Sequence, residues 1–465
     1  MRQWLKFQLM KMILLINNEN FSNINFSKLG SPINRIASVC FMVFTDIITY
    51  LLPNITFLVI ICIYFLYKNT VFGTGFIVGN VLLFMYLYAN WQEMIDSNEN
   101  YEHFVNDNES YITEILGNMD KIIYRGQTKY EIGVFDEKCK NTIRSAFDFY
   151  STVNNHGIVF NVILLFILIA SIAYLIRLYF DKKITLTVFI SFFTILLLYR
   201  DKMITLVQQV PDFIEFIGRT DSVLKNFANM ENNYNLVLSR QYVDVKLAFE
   251  TIRFENVNYK YDETDSHNVL DDCNLRVETN NHKIIGITGL SGNGKSTFAK
   301  LILKMYSPTA GKIYIDEQDI ENVDCDYIRE NITYVNQNTK LFDTKVIDNI
   351  LYGCSDIDEC QFYLQNILKY GKIRELFRNT NIYEKNAGSM GNNLSGGQRM
   401  VANVIGGLIN PSKILVLDEP TNGLDHELKQ ELIGLIRDFA KYKNCIIVIT
   451  HDKDCYQLFD ENIEF

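Results

Sequence analysis

Basic residues are not in excess here: 44 Lys and Arg stand against 54 Asp and Glu, a formal net charge of −10 over 465 residues. Nucleic-acid faces need a concentrated basic patch, so no nucleic acid is expected as a partner. CxxC pairs are also missing. The nine cysteines (Cys40, Cys62, Cys139, Cys273, Cys325, Cys354, Cys360, Cys445 and Cys455) are scattered, and neither they nor the six histidines cluster at the spacing of a zinc site. Their distribution fits free thiols in a reducing cytosol. A cleavable leader lacks its parts as well. Arg2 precedes an apolar run, but Lys6 and Lys11 interrupt it and no small-residue cleavage site follows. Leu5, Leu9, Met12, Ile13 and Ile16 recur at helical spacing, which predicts an amphipathic or buried helix.

What is present is divided near residue 240. Before it Leu, Ile, Phe, Val and Tyr dominate; after it apolar runs shorten and Gly, Asp, Asn and Lys recur. A helix needs about 20 apolar residues to cross the hydrocarbon core. Four stretches are read as spans: 37–67, 71–91, 158–180 and 184–199. The first exceeds one perpendicular crossing, and Pro53 with Asn54 is expected to kink it. Lys68-Asn69-Thr70 and Asp181-Lys182-Lys183 are so short that spans one and two, and spans three and four, must form tight hairpins. Residues 92–157 form the long connection, polar and rich in helix formers. Its basic residues, with those at the start of the chain and at Arg200 and Lys202, predict a cytosolic location by the positive-inside rule. Asp46 and Asn54 are candidates for lining a path, since polar groups at depth face protein or water.

The second half carries chemistry. Lys283 to Thr288 reads as a buried strand, followed by Gly289-Leu290-Ser291-Gly292-Asn293-Gly294-Lys295-Ser296, a G-x-x-x-x-G-K-[ST] phosphate loop. Glycines allow the amides to face an oxyanion, and the helix opening at Ser296 and Thr297 turns its positive end to the phosphates. Lys295 is expected on β- and γ-phosphate oxygens and Ser296 on Mg2+. A second apolar strand, Lys413 to Leu417, ends in Asp418-Glu419. Adjacent strand residues face opposite sides, so the two acids divide the work: Asp418 holds Mg2+ through water and Glu419 polarises the attacking water as general base. Between these lies Leu394-Ser395-Gly396-Gly397-Gln398, a second anion-binding nest at a helix start.

That last motif is the signature of ATP-binding cassette proteins, and the chain resembles an exporter-type half-transporter of that family. The resemblance implies that Ser395, Gly396, Gly397 and Gln398 close over the γ-phosphate of a second cassette, so that two chains, as a homodimer or a heterodimer, sandwich two ATPs. It also implies that Tyr261 stacks on adenine, that Gln337 contacts Mg2+ and the membrane domain, that Asp425 communicates between cassettes, and that His451, 32 residues beyond Glu419, senses the γ-phosphate. Glu114 to Tyr124 is similar to the cytosolic segment that these exporters dock on the partner's cassette.

The resulting expectation is an all-α transmembrane helical domain over 1–240 and an α/β P-loop NTPase domain of the cassette type over 250–465. Such a protein is multi-pass, with its cassette in the cytosol, uses ATP and Mg2+, and exports or flips a substrate (small molecule, lipid or peptide) that the sequence does not identify. Departures from the family pattern are specific. Relatives have two further membrane helices ahead of the segment resembling Gln8 to Ile36, Ser389 stands where exporters carry an acid, Asn422-Gly423 replaces Ser-Ala, and 14 residues follow His451, too few for most of the closing strands. An ATP-gated channel, a regulatory membrane ATPase or a non-transporting remnant are the alternatives.

Overall fold

The structure is a computed structural model that describes residues 2–19, 33, 38, 41–42, 44–217, 234–261, 267–290, 292–337, 340–378 and 381–465. Most of residues 20–43, including Cys40 and the start of the first expected span, therefore lie outside the described residues, as does Ser291. The chain divides into two compact units, Asn23–Asn233 with Met1–Ile13, and Tyr234–Phe465 with Leu14–Ser22. The division falls close to the composition shift.

The first unit is helical. After α1 (Arg2–Glu19), of which the residues up to Ile13 belong to this unit, a π-helical turn (Ile47–Leu51) runs directly into α2 (Leu52–Lys68), with Pro53 in the first turn of α2. The wide turn answers a local problem: proline has no N–H to give and its ring collides with a carbonyl one turn back. A hairpin then leads to α3 (Thr70–Ala89). Asn69 is extended at φ −155° and its side chain accepts from Phe72 N at 2.9 Å, capping α3. The approach is close at Gly73, where a Cβ would meet Leu66 N at 2.5 Å. Next come α4 (Trp91–Gly117), the short α5 (Met119–Tyr124), α6 (Thr128–Phe180) and α7 (Leu186–Gln208). Residues 92–157, read from sequence as a polar connection rich in helix formers, are almost wholly helix: α4 leaves, α5 forms the tip, and α6 returns and continues as an apolar segment.

Phe65 anchors the core of this unit. Fully buried, it meets Phe72, Phe76 and Phe192 with ring centroids 4.9, 5.1 and 4.6 Å away. Asn80 and Tyr199 pair within the same core, the phenol donating to Asn80 Oδ1 at 2.7 Å, which satisfies two polar groups that hydrocarbon would penalise. Outward, Val59, Ile63, Val78, Leu82, Phe166 and Ile169 are exposed. Of the two residues proposed for a path, Asn54 is buried inside the unit and Asp46 is half-buried.

Among the described residues three helices are long and apolar enough to cross a membrane: Phe44–Lys68, Thr70–Gly117 and Thr128–Phe180. The fourth expected span corresponds to α7, whose apolar stretch ends at Tyr199 before Arg200, Asp201 and Lys202. This charge cluster, continuing the same helix, keeps it below the length of a full apolar crossing.

The second unit has two sheets. An antiparallel sheet has the order β2 (Leu270–Glu278), β1 (Thr251–Tyr259), β4 (Ala310–Ile315), β5 (Gln318–Asp319). A parallel sheet has the order β6 (Ile332–Val335), β7 (Ile414–Asp418), β8 (Cys445–Ile449), β3 (Lys283–Thr288), β9 (Glu461–Glu464). Alternation along the strands splits the core. Leu415, Leu417, Ile446 and Val448 face one cluster with α9 (Gly396–Ile409) and α10 (His426–Phe439). Val416, Ile447, Ile449, Ile285 and Ile287 face the other, with the helix Lys295–Ile302, here α8, and the antiparallel sheet. One closing strand, β9, does follow His451 and pairs with β3. Cys354 and Cys360 are joined in a disulfide, against the expectation of free thiols; spaced by five residues around a helix start, they meet although no CxxC pair marks them.

Candidate functional site

Three of the expected motifs leave the carboxyl ends of parallel strands: the phosphate loop after β3, Asp418-Glu419 at β7 and His451 after β8. The register sets them level, since Asp418 pairs with Ile449 and Ile449 with Ile287. Crevices outside such strand ends are where α/β sheets bind ligands.

In the phosphate loop Gly289, Gly292 and Gly294 all have positive φ, at 139°, 93° and 85°. Gly294 caps α8, and a Cβ there would meet Leu270 Cδ2 at 2.7 Å and Val269 O at 3.0 Å, whereas the Cβ direction of Gly292 opens onto empty space. Lys295 is buried and folds back, donating to the carbonyls of Gly289 at 2.9 Å and Leu290 at 2.7 Å. Asn293 Nδ2 donates to Phe465 O at 3.1 Å. Ser296 is half-buried in the first turn of α8. Tyr261 stands against this helix: its hydroxyl is 2.9 Å from Thr297 Oγ1, and its ring meets Tyr259 and Tyr306 edge-on.

Asp418 ends a strand with every residue buried. Its Oδ2 accepts from the Tyr334 hydroxyl at 2.7 Å; burial first, then the carboxylate, holds that phenol well above its ordinary pKa. Glu419 turns out of the strand with φ 52°. Its carboxylate is fixed from the end of β8: Thr450 Oγ1 donates to Oε2 at 3.1 Å, His451 N donates to Oε1 at 3.2 Å, and His451 Nδ1 lies 2.7 Å from Oε1. Glu419 is mostly buried and His451 is exposed.

A second network secures the loop that carries His451. Asp452 accepts from Thr421 Oγ1 at 2.9 Å and from Asp454 N at 3.1 Å, and pairs with Lys429 at 2.7 Å. Burial would raise the Asp452 carboxyl, but these partners together hold it below its usual range. Asp454 also meets Lys429 at 3.3 Å.

The signature segment opens α9 as a capping box. Ser395 Oγ accepts from Gln398 N at 3.2 Å, Gln398 Oε1 accepts from Ser395 N at 3.1 Å, and Gln398 Nε2 donates to Leu376 O at 3.0 Å. Ser395 and Gly396 are exposed, Gly397 half-buried. Asp425 is exposed and caps α10 through Leu428 N at 2.9 Å, while Gln337 is exposed just after β6.

Among the described residues no three His, Cys, Asp or Glu gather as a metal site. The donors expected for Mg2+, the hydroxyl of Ser296, the carboxylate of Asp418 and the amide oxygen of Gln337, are hard oxygens. They suit an ion that keeps waters and relies on substrate phosphates.

Sequence reasoning gave no role to Tyr334, Thr450, Thr421, Asp452 or Lys429. Tyr334 and Asp452 adjoin recognised motifs, but only the strand register and loop closure bring them onto Asp418 and Thr421.

Residues 270–422 match the family model described as ABC transporter. ATP-binding cassette sub-family B member 5 of Homo sapiens is 32% identical over 200 residues, 43% of this chain and 16% of that protein. ABC transporter B family member 26, chloroplastic, of Arabidopsis thaliana is 32% identical over 218 residues, 45% of this chain and 30% of that protein. The chain thus spans well under two thirds of these relatives. A bacterial Atm1-family ABC exporter, solved with ATP bound, has the same fold, with a TM-score of 0.84 at 19% identity, covering 100% of this chain and 80% of that one. Residues 270–422 thus match an ABC transporter domain, and it follows a helical unit in a chain that has the ABC exporter fold.

Proposed function

We propose that this protein hydrolyses ATP between two cassettes and uses the cycle to export or flip a substrate across a membrane, acting as a half-transporter with its cassette in the cytosol. Phosphate-loop amides and Lys295 bind the phosphates, with Lys295 exchanging its two carbonyl partners for phosphate oxygens. Tyr261 faces the base. Ser296, Asp418 and Gln337 would hold Mg2+, which supplies neutralisation of phosphate charge. Glu419 takes a proton from water as its oxygen attacks the γ-phosphorus, the bond to the β-bridging oxygen breaks, and ADP and phosphate leave. His451 holds Glu419 in place. Ser395 and Gly396, exposed at a helix start, cover the γ-phosphate bound by the partner chain, so each site is completed by two copies or by a related subunit.

The observation that carries this reading is the fixing of Glu419. A carboxylate with left-handed backbone, held by three donors from the neighbouring strand end, is preorganised as a base. The test is Mg2+-dependent ATPase activity of the full chain in lipid, with Glu419→Gln. Hydrolysis should fall by about 10²–10⁴-fold, the usual worth of a general base, while ATP binding persists. Wild-type-like turnover in the variant would remove Glu419 from this role.

A further inference from the structure

Tyr334 and Asp418 lie on neighbouring parallel strands, with Tyr334 level with Val416. Residues two apart on a strand share a face, so Tyr334, Val416 and Asp418 line the α8 side of the sheet. Two residues of parallel strand span about 6.6 Å, a distance that a phenol bridges and a serine or threonine does not. The hydroxyl accordingly reaches Asp418 Oδ2 at 2.7 Å. Asp418 is only 5% exposed, and a carboxylate so placed needs a donor to keep one orientation.

We infer that Tyr334 is a positioning residue for Mg2+, engaging Oδ2 of Asp418 so that Oδ1 is presented toward the Ser296 side of the site. This inference rests on the ATPase reading above. It assigns Tyr334 no contact with nucleotide. Its loss should therefore weaken the metal's contribution to binding and spare nucleotide affinity in the absence of metal. Removing a hydrogen-bond partner of a metal ligand typically costs about 10–100-fold in metal affinity.

The experiment uses the full chain in detergent or lipid with a fluorescent trinitrophenyl-ATP, titrated in EDTA and then with Mg2+, and repeats the titration with Mn2+ read by electron paramagnetic resonance. Tyr334→Phe keeps the ring and removes the hydroxyl. Affinity in EDTA should stay within about twofold of wild type, while the Mg2+ and Mn2+ concentrations for half-saturation rise about tenfold. In an Asp418→Asn background the same substitution should change neither titration further. Unchanged metal dependence in Tyr334→Phe would overturn the inference, as would equal losses with and without metal, or a full additional loss on top of Asp418→Asn. Wild-type protein that binds the probe but shows no metal dependence would overturn the Mg2+ assignment itself, a result distinct from a wild-type-like Tyr334→Phe.

Discussion

Replacing Asp452 by Asn keeps the shape of the side chain and removes its charge. Three interactions are at stake: the hydrogen bonds from Thr421 Oγ1 at 2.9 Å and Asp454 N at 3.1 Å, and the ion pair with Lys429 at 2.7 Å. Asparagine can still accept through its one oxygen, and Lys429 retains Asp454 at 3.3 Å, so no charge is left stranded. With hydrogen bonds to charged groups worth about 1.5–3 kcal/mol, the expected loss is the weakened charge assistance, about 2 kcal/mol. For a unit of this size that corresponds to a fall in Tm of about 4–8 °C. The assay should be calorimetric, because both tryptophans, Trp4 and Trp91, belong to the helical unit and neither to the cassette. Sign follows from the lowered carboxyl. A depressed folded pKa stabilises fully above the ordinary carboxylate value and loses that contribution as pH falls through the folded one. The gap between wild type and variant should therefore be constant from about pH 7 to 5 and shrink below about pH 4. A gap that persists undiminished in acid, or no gap at neutral pH, would refute the account of this network.

Lys443 is buried, donates to the carbonyls of Asn410 and Ser412, and burial brings its pKa down to about 8. A lysine whose folded pKa is lowered destabilises at neutral pH, by at most about 3 kcal/mol for this shift, and the penalty is relieved as pH rises from about 8 to 10.5. Wild type should thus gain stability over that range relative to Lys443→Met, measured by calorimetry at each pH; parallel curves would sink the assignment. Gly294→Ala forces a Cβ against Val269 O at 3.0 Å with φ at 85°. The loop must shift, and a strain of about 1–3 kcal/mol should lower ATP affinity about tenfold or more, read by equilibrium binding in EDTA.

Legibility in the sequence followed the range of the interaction. The phosphate loop, the strand acids and the signature are contiguous, because a turn or helix start presents consecutive amides to one anion, and they could be read directly. The pairing of Tyr334 with Asp418 depends on the register of two strands distant in the chain, and no periodicity encodes it. The same holds for Asp452 with Thr421. Residues 92–157, polar and rich in helix formers, are helical as that composition suggests, and what the sequence does not encode is the seam that α4 and α6 bury against one another, with Phe149 and Met94 fully enclosed. Pro53, expected to kink a span, follows a π turn that widens the helix just before it.

α6 runs unbroken for 53 residues, on the order of 80 Å at 1.5 Å per residue. A rod of that length works as a lever. Without an internal joint, a tilt of about 5° about one end displaces the other by roughly 7 Å, more than a helical turn of 5.4 Å. Slight motion at the tip helix α5 is thereby geared up at the apolar end of α6, and the stiffness of one continuous helix sets how much of that gain survives.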